Sequence, residues 1–240
     1  MVAAGWRYTL ALTWVKEKEK PVAVLDRLWE QVRVSRIACK MVLLDRYFFT
    51  VPVMTWLQAH NLPFIVPGVM RGRKPKPGTK AKGMRSRRAG KAGTSDYTHS
   101  AGKEAVTFRL VITYKTYRHR GTKKRAAKKL FFATWKVWLS PTDVRETYRR
   151  RFGIETSYRQ LNQSRSRTSS RDPLYRFLLV GLALFLRNLW QWLANMDSRW
   201  GTATTRPAAT SRLRYQDVLD DFSDYLHRLT QTQHSPTPGT

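Results

Sequence analysis

IACKMVLLDRYFFTVPVMTWLQAHNLPFIVPGV, residues 37–69, decides how the fold is read. IACKMVLLD (37–45) is a short apolar run ending in Asp, the pattern of a buried strand in a sheet covered on both faces. Thr50 and Pro52 then open a helix over VPVMTWLQAHN, Thr50 as N-cap and the Pro early in the first turn. PFIVPGV (63–69) is a second short apolar strand. Upstream, RYTLALTWV (7–15) is rich in Thr, Leu and aromatics and reads as a strand. VAVLDRLWEQVRV (22–34) carries apolar residues at 24, 25, 28, 29 and 32, the spacing of an amphipathic helix. Strand, helix, strand, helix, strand is the order of an α/β layer with parallel pairs.

Downstream the composition changes abruptly. RGRKPKPGTKAKGMRSRRAGKAG (71–93) holds ten cations and no acid. With little to bury and like charges throughout, it is expected to be a mobile loop. VTFRLVITYKTY (106–117) and KLFFATWKVWL (129–139) read as strands joined by the basic turn RHRGTKKRAAK. Ser140-Pro141 with Asp143 is a strong helix start, and that helix is expected over 141 to about 164. Asp172-Pro173 starts the next in the same way, with an apolar body reaching about Met196. The stretch FLLVGLALFL (177–186) falls well short of the roughly 20 residues a spanning helix needs, so it is read as a buried core helix. The tail from 198 to 213 is expected to be loose, followed by a short amphipathic helix from Arg214.

The 240 residues carry 45 Lys+Arg against 16 Asp+Glu, a formal net charge of +29. A chain with that self-repulsion points to a polyanionic partner, nucleic acid ahead of an anionic membrane. Hydrophobic residues make up 42% of it, with nine Trp, which excludes a merely disordered basic tail. Cys39 is the single cysteine. That argues for a reducing compartment and against a disulfide framework or zinc site. The N-terminus shows no basic segment ahead of an apolar core, so no signal peptide is read.

YRRRFGIETSYRQLNQ (148–163) places the lone acid Glu155 among four arginines. On a continuous helix Tyr148, Arg151, Glu155 and Asn162 fall within about 60° of one another. One reading is a solvated face with an Arg–Glu pair at i, i+4. The other is a carboxylate that holds a cation against a phosphate drawn in by the arginines. Asp45 favours the second, because it ends a presumed central strand, the edge where open α/β sheets bind ligands. Two carboxylates on Mg²⁺ or Mn²⁺ in a basic cleft is the arrangement that phosphodiester chemistry needs. Lys74, Arg87, Arg88, Lys123, Lys124 and Arg159 would track the DNA backbone without reading sequence, a solvated basic tail being the alternative. Trp135 and Trp138 read as the core of a β-layer, with stacking on a displaced base as the other option.

Tyr148, Arg151 and Glu155 match in register the Y-x2-R-x3-E-x6-K signature, and the stretch resembles DDE transposases of bacterial insertion sequences. Asn162 stands where that family has Lys. Residues 42–67 likewise resemble the segment around the family's second catalytic Asp, and Asp45 takes that role. The resemblance implies an α/β, ribonuclease H-like core with a basic, β-rich insertion and C-terminal helices. Its parts would be a core segment over 1–70, the insertion over 71–139, the Glu155 helix with the apolar helix over 140–197, and a tail over 198–240. It implies metal-dependent cleavage and strand transfer at insertion-sequence ends, with Asp45 and Glu155 on Mg²⁺ or Mn²⁺ and with Tyr148, Arg151, Arg159 and Asn162 on DNA. The implied partners are double-stranded DNA and a second copy in a synaptic homodimer, with no membrane, in a prokaryotic cytoplasm at the nucleoid. The family's first Asp has no counterpart ahead of Asp45. The chain is therefore expected to be an N-terminally truncated, inactive copy, or else a non-catalytic basic nucleic-acid-binding protein.

Overall fold

A computed structural model of the protein describes residues 2–3, 6–70, 83–84, 91–118, 125–152, 159–162, 167–200 and 215–232. They fall into two compact units. One is Thr13–Phe152, and the other joins Met1–Leu12 to Gly153–Thr240.

In the Thr13–Phe152 unit, β3 (Val42–Leu43) runs parallel to β4 (Phe64–Pro67). β4 then pairs antiparallel with β7 (Arg125–Trp135), which pairs with β6 (Glu104–Arg118), which pairs with β5 (Gly93–Ala101). The sheet order is therefore β3-β4-β7-β6-β5, a mixed α/β sheet as expected. Every residue of β4 is buried because both faces are covered. Phe64 and Val66 pack with Leu25 of α1 (Pro21–Val34) and Val53, Met54 and Leu57 of α2 (Val51–Ala59). Ile65 points the other way, into a second cluster with Val111, Phe132, and Val144 and Tyr148 of α3 (Pro141–Arg149). The alternation that puts successive strand side chains on opposite faces thus builds two cores from one short strand.

Helix starts follow the sequence closely. Ser140 Oγ accepts the Asp143 N–H at 3.2 Å at the head of α3, and Asp172 Oδ1 accepts the Leu174 N–H at 2.9 Å at the head of α4 (Pro173–Trp200). Thr50 is the N-cap residue of α2, but its side chain makes no capping bond. A last helix, α5, spans Tyr215–Thr232.

Five expectations are corrected. RYTLALTWV (7–15) is not a strand: only Trp6–Arg7 (β2) pairs, with Val2–Ala3 (β1). Where a ladder would continue, the Asn188 side chain takes the Thr9 N–H at 2.9 Å and donates to the Thr9 carbonyl at 2.6 Å, so one amide side chain stands in for a neighbouring strand. The strand read over 37–45 shrinks to two half-buried residues, since β3 ends the sheet and is paired on one side only. The basic stretch 71–93 has too few apolar residues for a core of its own, yet Met84 is buried in the main one and β5 begins at Gly93. Residues 71–82 and 85–90 lie outside the described residues. The helix expected over 141–164 leaves the α conformation after Arg149 and tightens into a 3₁₀ turn over Arg150–Phe152; Gly153, a residue costing about 1 kcal/mol in a helix interior, follows in the sequence.

The fifth correction concerns FLLVGLALFL. It belongs to an apolar helical stretch of 24 residues, Pro173–Met196, long and apolar enough by composition to cross a membrane. It is also not a buried core helix. Ala183, Leu186, Arg187, Gln191 and Ala194 are buried, while Leu174, Leu178, Leu182, Phe185 and Trp192 are exposed. Counting the apolar run alone stopped the reading at Arg187, but Arg187 belongs to the protein-facing side: it donates to the Arg7 carbonyl at 3.1 Å and to Gln160 Oε1 at 3.2 Å. Burial moreover lowers its guanidinium pKa, the charge of Tyr215 opposing that shift.

Candidate active site

The site grows out of the end of β3. There the chain leaves the sheet and turns into a 3₁₀ helix over Arg46–Phe48, with Asp45 as its N-cap and the carboxylate accepting the Arg46 N–H at 2.6 Å. This is the turn-forming role open to any Asp in that position, and it leaves the Asp45 side chain 56% exposed. Leu44, just before it, is fixed to β4 by its N–H on the Ile65 carbonyl at 3.2 Å.

Two residues from α3 and the turn after it arrive beside that carboxylate. Arg151 Nη2 lies 3.4 Å from Asp45 Oδ1, and Arg151 Nε donates to Tyr148 Oη at 3.1 Å. The same guanidinium stands 5.5 Å from the centre of the Tyr148 ring. Tyr148 is itself buried, its ring 5.3 Å from that of Phe132 on β7. Burial pushes the phenol pKa up, and the charge and hydrogen bond of Arg151 only partly oppose this. A buried ring thus anchors a phenol, the phenol orients a guanidinium, and the guanidinium meets a carboxylate more than a hundred positions earlier in the chain.

Of the residues singled out from sequence, Asp45, Tyr148 and Arg151 come together. Glu155, Lys74, Arg87, Arg88, Lys123 and Lys124 lie outside the described residues. Arg159 and Asn162 sit in a short helical stretch, 159–162, both exposed. Trp135 is part of the core region, its ring stacked 6.5 Å from that of Phe64. Trp138 is 85% exposed and is no core residue; the strand that was to bury it ends at Trp135. Sequence reading missed Arg46, whose charge acts on the Tyr148 phenol. Its place directly after Asp45 was the available signal.

The four acids that precede Asp45 are all engaged elsewhere. Glu17 lies by Lys18 and Glu19 pairs with Arg27. Glu30 pairs with Arg33, and Asp26 accepts from the Trp56 indole at 3.2 Å. None of these interactions involves Asp45. The β6–β7 hairpin adds a basic arm. Lys115 stands directly opposite Lys128. Like charges in facing positions destabilise a sheet, and a polyanion laid along the arm would relieve them.

Residues 8–189 match the profile of the transposase DDE domain. Among curated proteins none matches the chain. A mixed five-stranded sheet with flanking helices is consistent with the ribonuclease H-like fold of that domain, which acts on DNA and generally works with a divalent metal. Among the described residues no three His, Cys, Asp or Glu side chains gather as a metal-holding group. Asp45 fits as one hard oxygen ligand, half in solvent at the carboxyl end of a strand.

Proposed function

The chain belongs to the transposase DDE-domain family, and from that premise we propose that it acts at insertion-sequence ends, where Asp45 and Glu155 hold Mg²⁺ or Mn²⁺ and Arg151 and Tyr148 hold the phosphate. What carries this reading is the convergence of Asp45, Tyr148 and Arg151 at the end of β3. Bound there, the metal would polarise the phosphoryl oxygen and lower the pKa of the attacking water. Arg151 presents a fork that suits two phosphate oxygens, and its present contact with Asp45 keeps it at the place where a phosphate would arrive. Tyr148 keeps its proton at neutral pH and offers a hydroxyl on a ring that cannot swing away. The cations around 71–91 and along the β6–β7 arm would follow the duplex backbone. A second copy would be needed to bring two ends together.

A second reading is favoured by the four acids ahead of Asp45, which point to other partners. On it the chain is a non-catalytic basic protein that binds DNA along its cationic surface. Titration with Mn²⁺ in the presence of duplex DNA, followed by the electron paramagnetic resonance of the free ion, separates the two. If both carboxylates are ligands, Asp45→Asn and Glu155→Gln each weaken Mn²⁺ binding at least about tenfold while duplex binding persists. Unchanged Mn²⁺ binding in both variants removes the pair from any metal chemistry. Nicking of supercoiled plasmid by the same chain then reports whether the site turns over.

A further inference from the structure

Tyr175, Leu178, Leu182, Phe185, Leu189, Trp192 and Met196 follow one another along α4 at alternating steps of three and four residues. Six of the seven are exposed, Leu178 at 64% and Phe185 at 60%, and Leu189 is half-buried. The buried Ala183, Arg187 and Ala194 lie on the opposite side of the helix. An average step of 3.5 residues is the repeat that keeps an apolar seam facing a partner helix along its length. Gly181 borders the seam, about 60° from Leu178. Glycine weakens a helix interior, and a Cβ added at Gly181 would meet nothing within 4 Å. Packing inside this chain gives no reason for that glycine, whereas a second helix approaching the seam needs the space.

We propose that a second copy of this chain covers the seam, α4 of one copy lying along α4 of the other. Charge favours that occupant. At a net charge of +29, repulsion opposes contact between copies over most of the surface. Residues 177–196 hold a single charged side chain, Arg187, and it is buried on the other side of the helix. Two copies can therefore meet along this seam without bringing cations together. The area also suffices. Large side chains bury about 150–250 Å² each when fully covered. With about half of each still open, pairing two seams removes on the order of 1,200 Å² from water, above the roughly 1,000 Å² that a specific interface needs. A bilayer suits the length of the helix, but hydrocarbon would have to take in the Arg187 charge. That charge is instead tied, with Gln191, to the Arg7 backbone.

The pairing supplies a surface for the second copy that the proposed function calls for, but its test uses neither DNA nor metal. Sedimentation velocity follows the full chain, freed of nucleic acid, over a dilution series in salt high enough to screen its charge. The expected species has twice the 28.0 kDa chain mass and dissociates on dilution. Leu182→Glu, which sets a charge in the middle of the seam, is expected to weaken pairing at least about 100-fold. Gly181→Ala is expected to act in opposite directions. It raises the melting temperature of the dilute monomer, because Ala favours helix, and weakens pairing about 5- to 100-fold, because its methyl group meets the partner. A merely misfolded variant would lose both. Leu178→Ala weakens pairing and leaves the melt of the dilute monomer unchanged. A dimer that either Leu182→Glu or Gly181→Ala leaves at wild-type affinity overturns the seam as its interface. A monomer at every concentration overturns it too, and co-sedimentation of that monomer with phosphatidylcholine vesicles would assign the face to a bilayer. Either failure leaves the DNA reading standing, and a chain that pairs but binds no duplex overturns that reading alone.

Discussion

Val51–Pro67 and Pro173–Met196 are both strongly apolar stretches, yet they meet opposite fates. In the first, Val51, Val53, Met54, Leu57, Phe64, Ile65 and Val66 are all at most 2% exposed. In the second, Leu174 is 71% and Leu178 64% exposed, and Leu182, Phe185 and Trp192 follow them along one side of α4. Apolar content drives burial only where a complementary surface stands opposite. β4 has one on each face and α2 turns its apolar residues toward one, with Pro52, Thr55 and Ala59 outward, whereas α4 has Ala183, Leu186 and Ala194 packed on one side and apolar residues on the other as well. Substitution should therefore separate the two stretches most sharply. Phe64→Ala is expected to cost about 3–5 kcal/mol in denaturant melts, the loss for emptying a large buried aromatic site. Leu178→Ala is expected to stay within about 0.5 kcal/mol. A comparable cost at Leu178 would mean that the outer side of α4 is packed against something in solution.

The next largest effect probes the inner side of α4. Arg187 is 3% exposed and bonds to the Arg7 carbonyl and Gln160. Arg187→Met removes the charge but strands the polar partners, at an expected 1–3 kcal/mol, roughly. Little or no loss of stability would show that water reaches those partners and that the inner side is less closed than the outer side is open.

Much of this was legible beforehand because local chemistry and tertiary demand agree at those residues. The Ser140-Pro141 and Asp172-Pro173 starts, the α1 spacing and the apolar β4 run each specify one element through its own composition. β5 was not read, since GTSDYTHSA is polar. Its half-buried Ser95, Tyr97 and His99 alternate with exposed Thr94, Asp96 and Thr98, and that period of two was the signal. Gly102, with φ 65°, closes the tight turn to β6, so pairing to β6 makes a strand of a sequence with modest propensity. RYTLALTWV erred in the other direction: strand propensity without a neighbouring strand yields no strand. At the candidate site, Asp45 was singled out by its place at the end of an apolar run and Tyr148 and Arg151 by their spacing, although the helix expected to carry these two gives way to a 3₁₀ turn after Arg149. Tyr148 and Arg151 still meet, because three residues apart is a neighbouring position in either helix.

A smaller effect is expected where the packed unit meets its site. Tyr148→Phe keeps the ring on Phe132 and removes only the oxygen that Arg151 Nε contacts. The expected loss is about 0.5–1.5 kcal/mol, well below that of Phe64→Ala. Duplex affinity should fall alongside as Arg151 loses its orientation. A loss as large as that of Phe64→Ala would place the phenol oxygen, rather than the ring, at the centre of the second core.

The smallest effect tests whether surface polarity adds much to a unit held by apolar burial. Glu19 accepts from Arg27 and from the Lys16 N–H, and these contacts, the Arg27 hydrogen bond foremost, lower its carboxyl pKa from 4.5 to about 2. A carboxylate whose pKa falls on folding stabilises the folded state above its unfolded value and loses that contribution as pH drops through the folded one. The Glu19 contribution is thus fully present above about pH 4.5 and is gone below about pH 2. Exposure of the Arg27 side chain to solvent keeps it small. Glu19→Gln should therefore narrow the gap in melting temperature between neutral and acidic buffer by a small, reproducible amount, while leaving the acid-limit value near that of the parent chain. A gap that widened on substitution would show that the Arg27 contact weakens the fold, and that the ordering of this stretch comes from α1 packing through Val24 and Leu25 alone.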